Sequence, residues 1–468
     1  MPLPRLDFAP PSLVLVASDL HLAAGRDVET GMFDGKENFL AADAFERWLA
    51  FYESDAQTGG LLVIDGDAFD FLRVVRVPES ADDRAAWAAR LPPDMKHLVN
   101  EPLSRKEKAF GLQTPAHKAV WKLHVIIAGH PEFFDALAHW VHVGGRIVFV
   151  KGNHDLELHW PLLLDVMRAE LEQRGAASAE ARRVTLAEEG FQLGNLLVEH
   201  GHQYEAMTAV VGPVLLDDGK QLNLPLGSFV NRYFINPLER LDPFLDNLKP
   251  STQALMALLR RRPLKIVSTY LRGWRFLLRA LKVRKRAAAW GPLLTIGAAL
   301  IVPPVTLALI VAYRLWPQFF AWMPGWLRVP SSIFGLSLPL VLPYLIGIVR
   351  DLLRQLGFFK TTHPLATGGT KRVAEARAAG DKSRRLYSVM GHTHEQEVRR
   401  LPGPDYYVNT GTWIALWPLD RYDLMGKVLH SYARFTLDGG EYRHASLVWD
   451  DAAGAPRLAP ILALDEDG

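Results

Sequence analysis

Five short apolar runs, each leading directly into a cluster of Asp, Asn, His or Gly, constrain this chain most. They are Leu13-Val14-Leu15-Val16, Leu61-Leu62-Val63-Ile64, Ile147-Val148-Phe149-Val150, Leu196-Leu197-Val198 and Leu386 to Met390. Runs this short, without helical spacing and bounded by turn formers, are the pattern of buried strands. Strands of this kind build an α/β sheet, and polar residues at their ends gather along one sheet edge. Here those ends read Asp19-Leu20-His21, Gly66-Asp67-Ala68-Phe69-Asp70, Gly152-Asn153-His154-Asp155, His200-Gly201-His202 and Gly391-His392-Thr393-His394.

Among them the five ends supply Asp19, His21, Asp67, Asn153, His200, His392 and His394. Borderline divalent ions favour mixed imidazole and oxygen donors, and a two-metal site needs one ligand that reaches both ions. The set therefore has the composition of a binuclear centre.

In this order, D-x-H, G-D-x-x-D, G-N-H-D, H-G-H and G-H-T-H resemble the calcineurin-like metallophosphoesterase family. The resemblance covers about residues 12–205 and 385–450. It implies a four-layer αββα sandwich and two divalent metal ions, Mn, Fe or Zn, with Mn favoured. By it, Asp19, His21, Asp67 and His394 hold the first ion. Asp67, Asn153, His200 and His392 hold the second, with Asp67 as the bridge. A metal-bridging hydroxide would attack phosphorus in line, with no covalent phosphoenzyme. His154 would contact the phosphoryl group and help protonate the leaving oxygen, beside Asn153. Asp67 and His154 are thus the catalytic pair.

Other residues carry two readings. His202 either touches substrate or makes a structural hydrogen bond. Asp70 and Asp155 read as residues that support the ligands or cap loops. Asn409, in Tyr407-Val408-Asn409-Thr410-Gly411, either supports the site from behind or forms the turn before Gly411. His130, His139 and His142 fall on a helix predicted from about Thr114 to Val143 and serve packing or solvent contact. Further helices are predicted over Glu37 to Ser54, Glu79 to Arg90 and Pro161 to Arg174, with an irregular loop over Pro92 to Gln113.

Composition narrows the class. A chain of 468 residues holds two or three domains. Its formal charge of +2 does not argue for nucleic acid as a partner. With no cysteine there is neither a disulfide nor a thiolate metal site. The first residues, Met1 to Pro11, do not read as a signal peptide.

The order of domains follows from a shift in composition. Residues 1–214 and 383–468 read as two parts of one α/β domain, and 215–382 as a helical insertion. The insertion carries a basic cluster from Arg260 to Arg286, interleaved with Tyr270, Leu271, Trp274, Phe276 and Leu277, which suits a helix on an anionic membrane surface. Two uncharged apolar stretches follow, 293–312 and 329–349, each of about 20 residues, the length that crosses a bilayer core. Trp316, Phe319, Phe320, Trp322 and Trp326 lie between them, as at a membrane–water interface. Basic residues flank the pair outside, which puts the catalytic domain on the cytoplasmic face of a cytoplasmic or inner membrane. Pro303, Pro304, Pro339 and Pro343 fit kinked spanning helices or shallower monotopic segments.

An insertion between His200 and His392 also resembles the placement of the helical lid in the UDP-2,3-diacylglucosamine diphosphatase-like branch of that family. The chain departs from that branch: it has His154 where an arginine follows the asparagine, and its insertion is longer. The expectation is a membrane-attached phosphoesterase acting on an amphiphilic phosphate ester or pyrophosphate, with membrane lipids as partners. Its alternative is a membrane-tethered enzyme for soluble nucleotides or phosphoesters.

Overall fold

A computed structural model describes residues 2–27, 30–216, 218–239, 248–249, 363–415, 417–418 and 426–459. The basic cluster and both apolar stretches, 293–312 and 329–349, lie outside the described residues. Among the described residues no helix is long and apolar enough to cross a membrane.

The chain is mixed α/β with two main sheets. The strands are β1 (Leu13–Ala17), β2 (Leu61–Asp65), β3 (Arg146–Val150), β4 (Val184–Ala187), β5 (Phe191–Leu193), β6 (Leu196–Val198) and β7 (Leu248–Lys249). After these come β8 (Tyr387–Met390), β9 (Gln396–Arg400), β10 (Tyr406–Thr410), β11 (Trp417–Pro418), β12 (Ser431–Asp438), β13 (Glu441–Asp450) and β14 (Ala455–Leu458). One sheet has seven strands in the order β14-β13-β12-β1-β2-β3-β4, and the other five in the order β5-β6-β8-β10-β9. All five predicted apolar runs are strands.

Each sheet has a parallel centre: β1, β2, β3 and β4 in the first, and β6, β8 and β10 in the second. Parallel centres are covered on both faces, which explains strands such as β1 and β2 that are buried at every position. One face of the first sheet packs on helices through Leu15, Leu62, Phe45, Trp48, Phe133 and Trp140. The opposite faces of the two sheets meet through Val14, Val16, Val63, Val148, Val198, Val389 and Val408. Beyond the second sheet, the helix Pro364–Ala378 packs its Leu365, Val373 and Ala376 against Leu197, Leu386 and Tyr407.

Several helix boundaries differ from those predicted. The span Thr114 to Val143 is two helices, Ala116–Gly129 and Pro131–His142. Pro131 has no N–H to continue the first, and its fixed φ opens the second. Glu37 is not helical: its buried carboxylate accepts from the backbone of Ala23, Gly25, Asn38 and Phe39, so the helix begins at Ala42. The span Pro92 to Gln113 contains a helical turn, Lys96–Asn100, and a short helix, Arg105–Phe110, with Ser104 and Glu107 forming a capping box.

Both described flanks of the range 215–382 lie on the α/β body. Asn236 Nδ2 donates to Leu72 O at 2.7 Å and Arg232 to Leu112 O at 2.8 Å. At the other end is the helix on the second sheet.

Candidate metal centre

The parallel strands deliver the chemistry. Asp19 and His21 follow β1, Asp67 and Asp70 follow β2, and Asn153 and His154 follow β3. In the second sheet His200 follows β6, His392 and His394 follow β8, and Asn409 ends β10. These are C-terminal strand ends, and the loops after them are stitched together. Asp19 N donates to Gly66 O, His21 N to Asp67 O and Gly391 N to His200 O.

Three groups of possible ligand atoms result among the described residues, and two of them match the expected sets: Asp19, His21 and His394, and Asp67, His200 and His392. In the first group two imidazole nitrogens point at one spot, His21 Nε2 lying 3.1 Å from His394 Nε2. Asp19 Oδ1 stands 3.3 Å from the latter and 3.8 Å from the former. In the second group His200 Nε2 is 3.2 Å from Asp67 Oδ2. The same carboxylate oxygen is 3.8 Å from His21 Nε2, so Asp67 stands between the groups.

These donors fit divalent cations. His200 Nδ1 donates to Asp65 O at 2.8 Å, which leaves the lone pair of the neutral ring on Nε2, facing a carboxylate. Two buried acceptors facing each other need a positive charge between or on them. Asn153 Oδ1 and Asp19 Oδ1 are likewise buried without a hydrogen-bond donor. Burial alone drives the imidazoles neutral, but the Asp67 and Asp19 carboxylates overcome it and push His200 up to about 10. His21 is raised well above its usual range by Asp19 and Asp70 against the same burial penalty. The carboxyl of Asp19, which burial alone would raise, is instead held well below its usual range by the charge of His200.

Backbone strain marks the same residues. Among the described residues six non-glycine positions have positive φ, and five are Asp19, His21, Asp67, His392 and His394. Each such conformation costs about 1–3 kcal/mol and persists only where the surroundings impose it. Two glycines make room for the side chains. Gly66 has φ +78°, and a Cβ there would stand 2.3 Å from the His200 ring. A Cβ on Gly152 would stand 2.1 Å from Asp67 Oδ1.

Supporting residues sit behind the ligands. Asp70 Oδ2 lies 2.9 Å from His154 Nδ1 and 3.4 Å from His21 Nδ1, and Arg73 Nε is 3.2 Å away. His21, Asp70 and His154 also lie close enough to be a ligand group. Here Asp70 engages the Nδ1 atoms, so it orients both rings and leaves Nε2 of each for other work. Asp155 caps its loop, accepting from Gly152 N and Ala68 N at 2.6 and 2.9 Å. Burial beside Asp67 raises its carboxyl to about 7.

Asn409 fills both of its predicted roles. Its Nδ2 donates to Gly391 O at 2.6 Å and to Thr393 Oγ1 at 3.1 Å, and its Oδ1 accepts from Gly411 N at 3.0 Å. His202 has its ring 5.6 Å from that of His200 and a buried Nδ1 without a hydrogen-bond partner. His130 is bound to Glu37 at 3.0 Å, while His139 and His142 are exposed. None of the three joins a ligand group among the described residues.

Sequence reasoning missed several contributors. Thr208 Oγ1 and Glu205 Oε2 each lie 3.2 Å from His392 Nε2. Ser18 Oγ and Thr410 Oγ1 are 2.7 Å apart and join the two sheets behind Asp19. Glu199, next to His200, is fully buried and bound to Arg372 at 2.8 Å. Position beside a ligand was the only signal for Ser18 and Glu199, and nothing local marks Arg372. Searched against models of known families and against curated proteins, the chain matches none.

Proposed function

We propose that this chain is a binuclear metal-dependent phosphoesterase of the calcineurin-like metallophosphoesterase type, built on that family's four-layer αββα sandwich. The observation that carries the reading is Asp67 Oδ2, 3.2 Å from His200 Nε2 on one side and 3.8 Å from His21 Nε2 on the other. A shared carboxylate between two imidazole-rich groups is what a two-ion centre requires.

Asp19, His21, Asp67 and His394 hold one ion, and Asp67, Asn153, His200 and His392 the other. Imidazole, amide and carboxylate donors suit Mn, Fe or Zn, and Mn is the ion we favour for the first test. When bound, the ions supply a nucleophile at neutral pH and offset charge on the phosphate oxygens. The residues around them do the rest. Asp70 holds His154 by Nδ1, leaving Nε2 for the phosphoryl group and the leaving oxygen. The His154 side chain is 18% exposed, against 4% for His21, so it is the more open to substrate. His202, near the second ion, contributes to substrate binding.

The substrate class rests on the insertion. Its apolar stretches, 293–312 and 329–349, and its basic cluster attach the enzyme to the cytoplasmic face of a membrane. An enzyme attached there is offered headgroup phosphates, and the substrate is an amphiphilic phosphate ester or pyrophosphate.

The test uses detergent-solubilised full-length protein with added Mn²⁺, given fractionated membrane lipids and, separately, soluble nucleotides and phosphate monoesters. Expected is release of phosphate or headgroup from one lipid fraction. In His154→Ala release falls roughly 10²–10⁴-fold, as for loss of a general acid, with metal content unchanged. Turnover of soluble esters alone would overturn the lipid substrate and reduce the insertion to an anchor. Absence of any turnover with metal loaded would overturn the enzyme.

A further inference from the structure

Glu199 and His200 follow β6 directly, and their side chains bond to opposite sides of the second sheet. His200 faces the first sheet, where Nδ1 donates to Asp65 O. Glu199 faces the helix Pro364–Ala378, and its carboxylate is fully buried. Three donors converge on it: Tyr204 Oη at 2.6 Å, Gln203 Nε2 at 2.6 Å and Arg372 Nε at 2.8 Å. Arg372 is itself steadied by Glu375, 2.8 Å from its Nη1.

The packing around this network is tight. A Cβ on Gly368 would stand 2.5 Å from the Tyr204 ring, so that ring lies directly on the helix backbone. Leu365 of the same helix reaches the Gly201 position, where a Cβ would meet it at 2.9 Å.

The network reaches the ligands by two routes. Glu199 N donates to Val389 O and His200 O accepts from Gly391 N, so the pair is bonded to the strand and loop that present His392. Tyr204 ends the turn His202–Tyr204, after which Glu205 and Thr208 reach His392 Nε2. None of these bonds ends on Asp19 or His21; the only link in this set toward that half is the loop itself, which also carries His394 and whose His392 N donates to Asp19 Oδ2 at 2.8 Å.

We propose that Arg372, acting through Glu199 and Tyr204, is a positioning residue for the His200 and His392 half of the metal centre. The inference rests on the two-metal reading above. Arg372 lies on the helix Pro364–Ala378, which packs on the second sheet beside β8.

The experiment measures Mn²⁺ binding to detergent-solubilised full-length protein by calorimetric titration, together with the electron paramagnetic resonance signal of a coupled Mn pair. The variants are Arg372→Lys and the double substitution Arg372→Met with Glu199→Gln, which leaves no buried charge unpaired. Thermal unfolding in chelator reports their folding separately. Wild type is expected to bind two ions. In the double variant one ion binds roughly 10–100-fold more weakly, the usual effect of losing support behind a ligand, and the coupled-pair signal is lost at sub-saturating Mn²⁺. The other ion binds as before. Arg372→Lys keeps the charge without the planar fork and restores part of the affinity. Equal weakening of both sites, or wild-type affinity at both in the double variant, would overturn the inference alone. A wild-type protein that binds fewer than two ions would overturn the two-metal reading and this inference with it.

Discussion

Asp19 is framed by uncharged hydrogen-bond donors, whereas Glu199, beside His200, stands in a buried ion pair. Around Asp19, His392 N donates to Oδ2, Thr412 Oγ1 donates to the backbone oxygen, and the Ser18–Thr410 hydroxyl pair lies directly behind. Its partner His21 takes charged support from Asp70, three residues beyond Asp67 in the next motif. Behind His200, the carboxylate of Glu199 finds its countercharge on Arg372, 173 positions away. Neutral bonds contribute little each, and losing one is tolerable. A buried carboxylate stripped of its partner is far more costly. The buried charge behind the Asp19 half is thus Asp70, close by in the sequence, and the one behind the His200 half is Glu199 with Arg372, on a helix far along the chain.

The largest effect should come from the residue the halves share. Asp67→Ala removes the carboxylate that stands between the two histidine groups among the described residues. Both ions should be lost and turnover should fall to background, read by metal analysis and phosphate release. Full activity in this variant would end the binuclear reading. A smaller effect separates the halves. Asp70→Asn should weaken binding at the Asp19–His21–His394 site by roughly 10–100-fold, because Asp70 orients His21. The other site should keep its affinity, the mirror image of the Arg372 result, and titration with Mn²⁺ checks it. The smallest effect should be Ser18→Ala. Loss of the hydroxyl pair should cost about 1 kcal/mol of stability, measured by denaturant unfolding, with both ions still bound. A large loss of metal there would show that the neutral frame does not tolerate the loss of one bond.

The candidate ligand residues were legible in the sequence because they lie just beyond five apolar runs, and a strand with its terminal turn is a local pattern. The helix boundaries at Glu37 and His130 were less legible. Glu37 gathers backbone donors from residues on both sides of it, and Pro131 divides a span whose apolar spacing is continuous. Thr208 and Glu205 escaped notice because their service to His392 depends on a turn held by Tyr204. The role of Asn409 stayed divided in the sequence, since one amide can bond both the turn and the neighbouring loop, and it does.

By itself, then, the sequence determined the strands, the residue types at their ends and the mixed α/β class, because apolar runs and turn formers act over a few residues. Only the tertiary structure decided that β1, β2 and β3 meet β6, β8 and β10 at the same edge, with Asp67 between two histidine groups. It also paired Glu199 with Arg372. A buried carboxylate accepts whichever cation the fold brings within reach, and sequence distance carries no information about which one that will be.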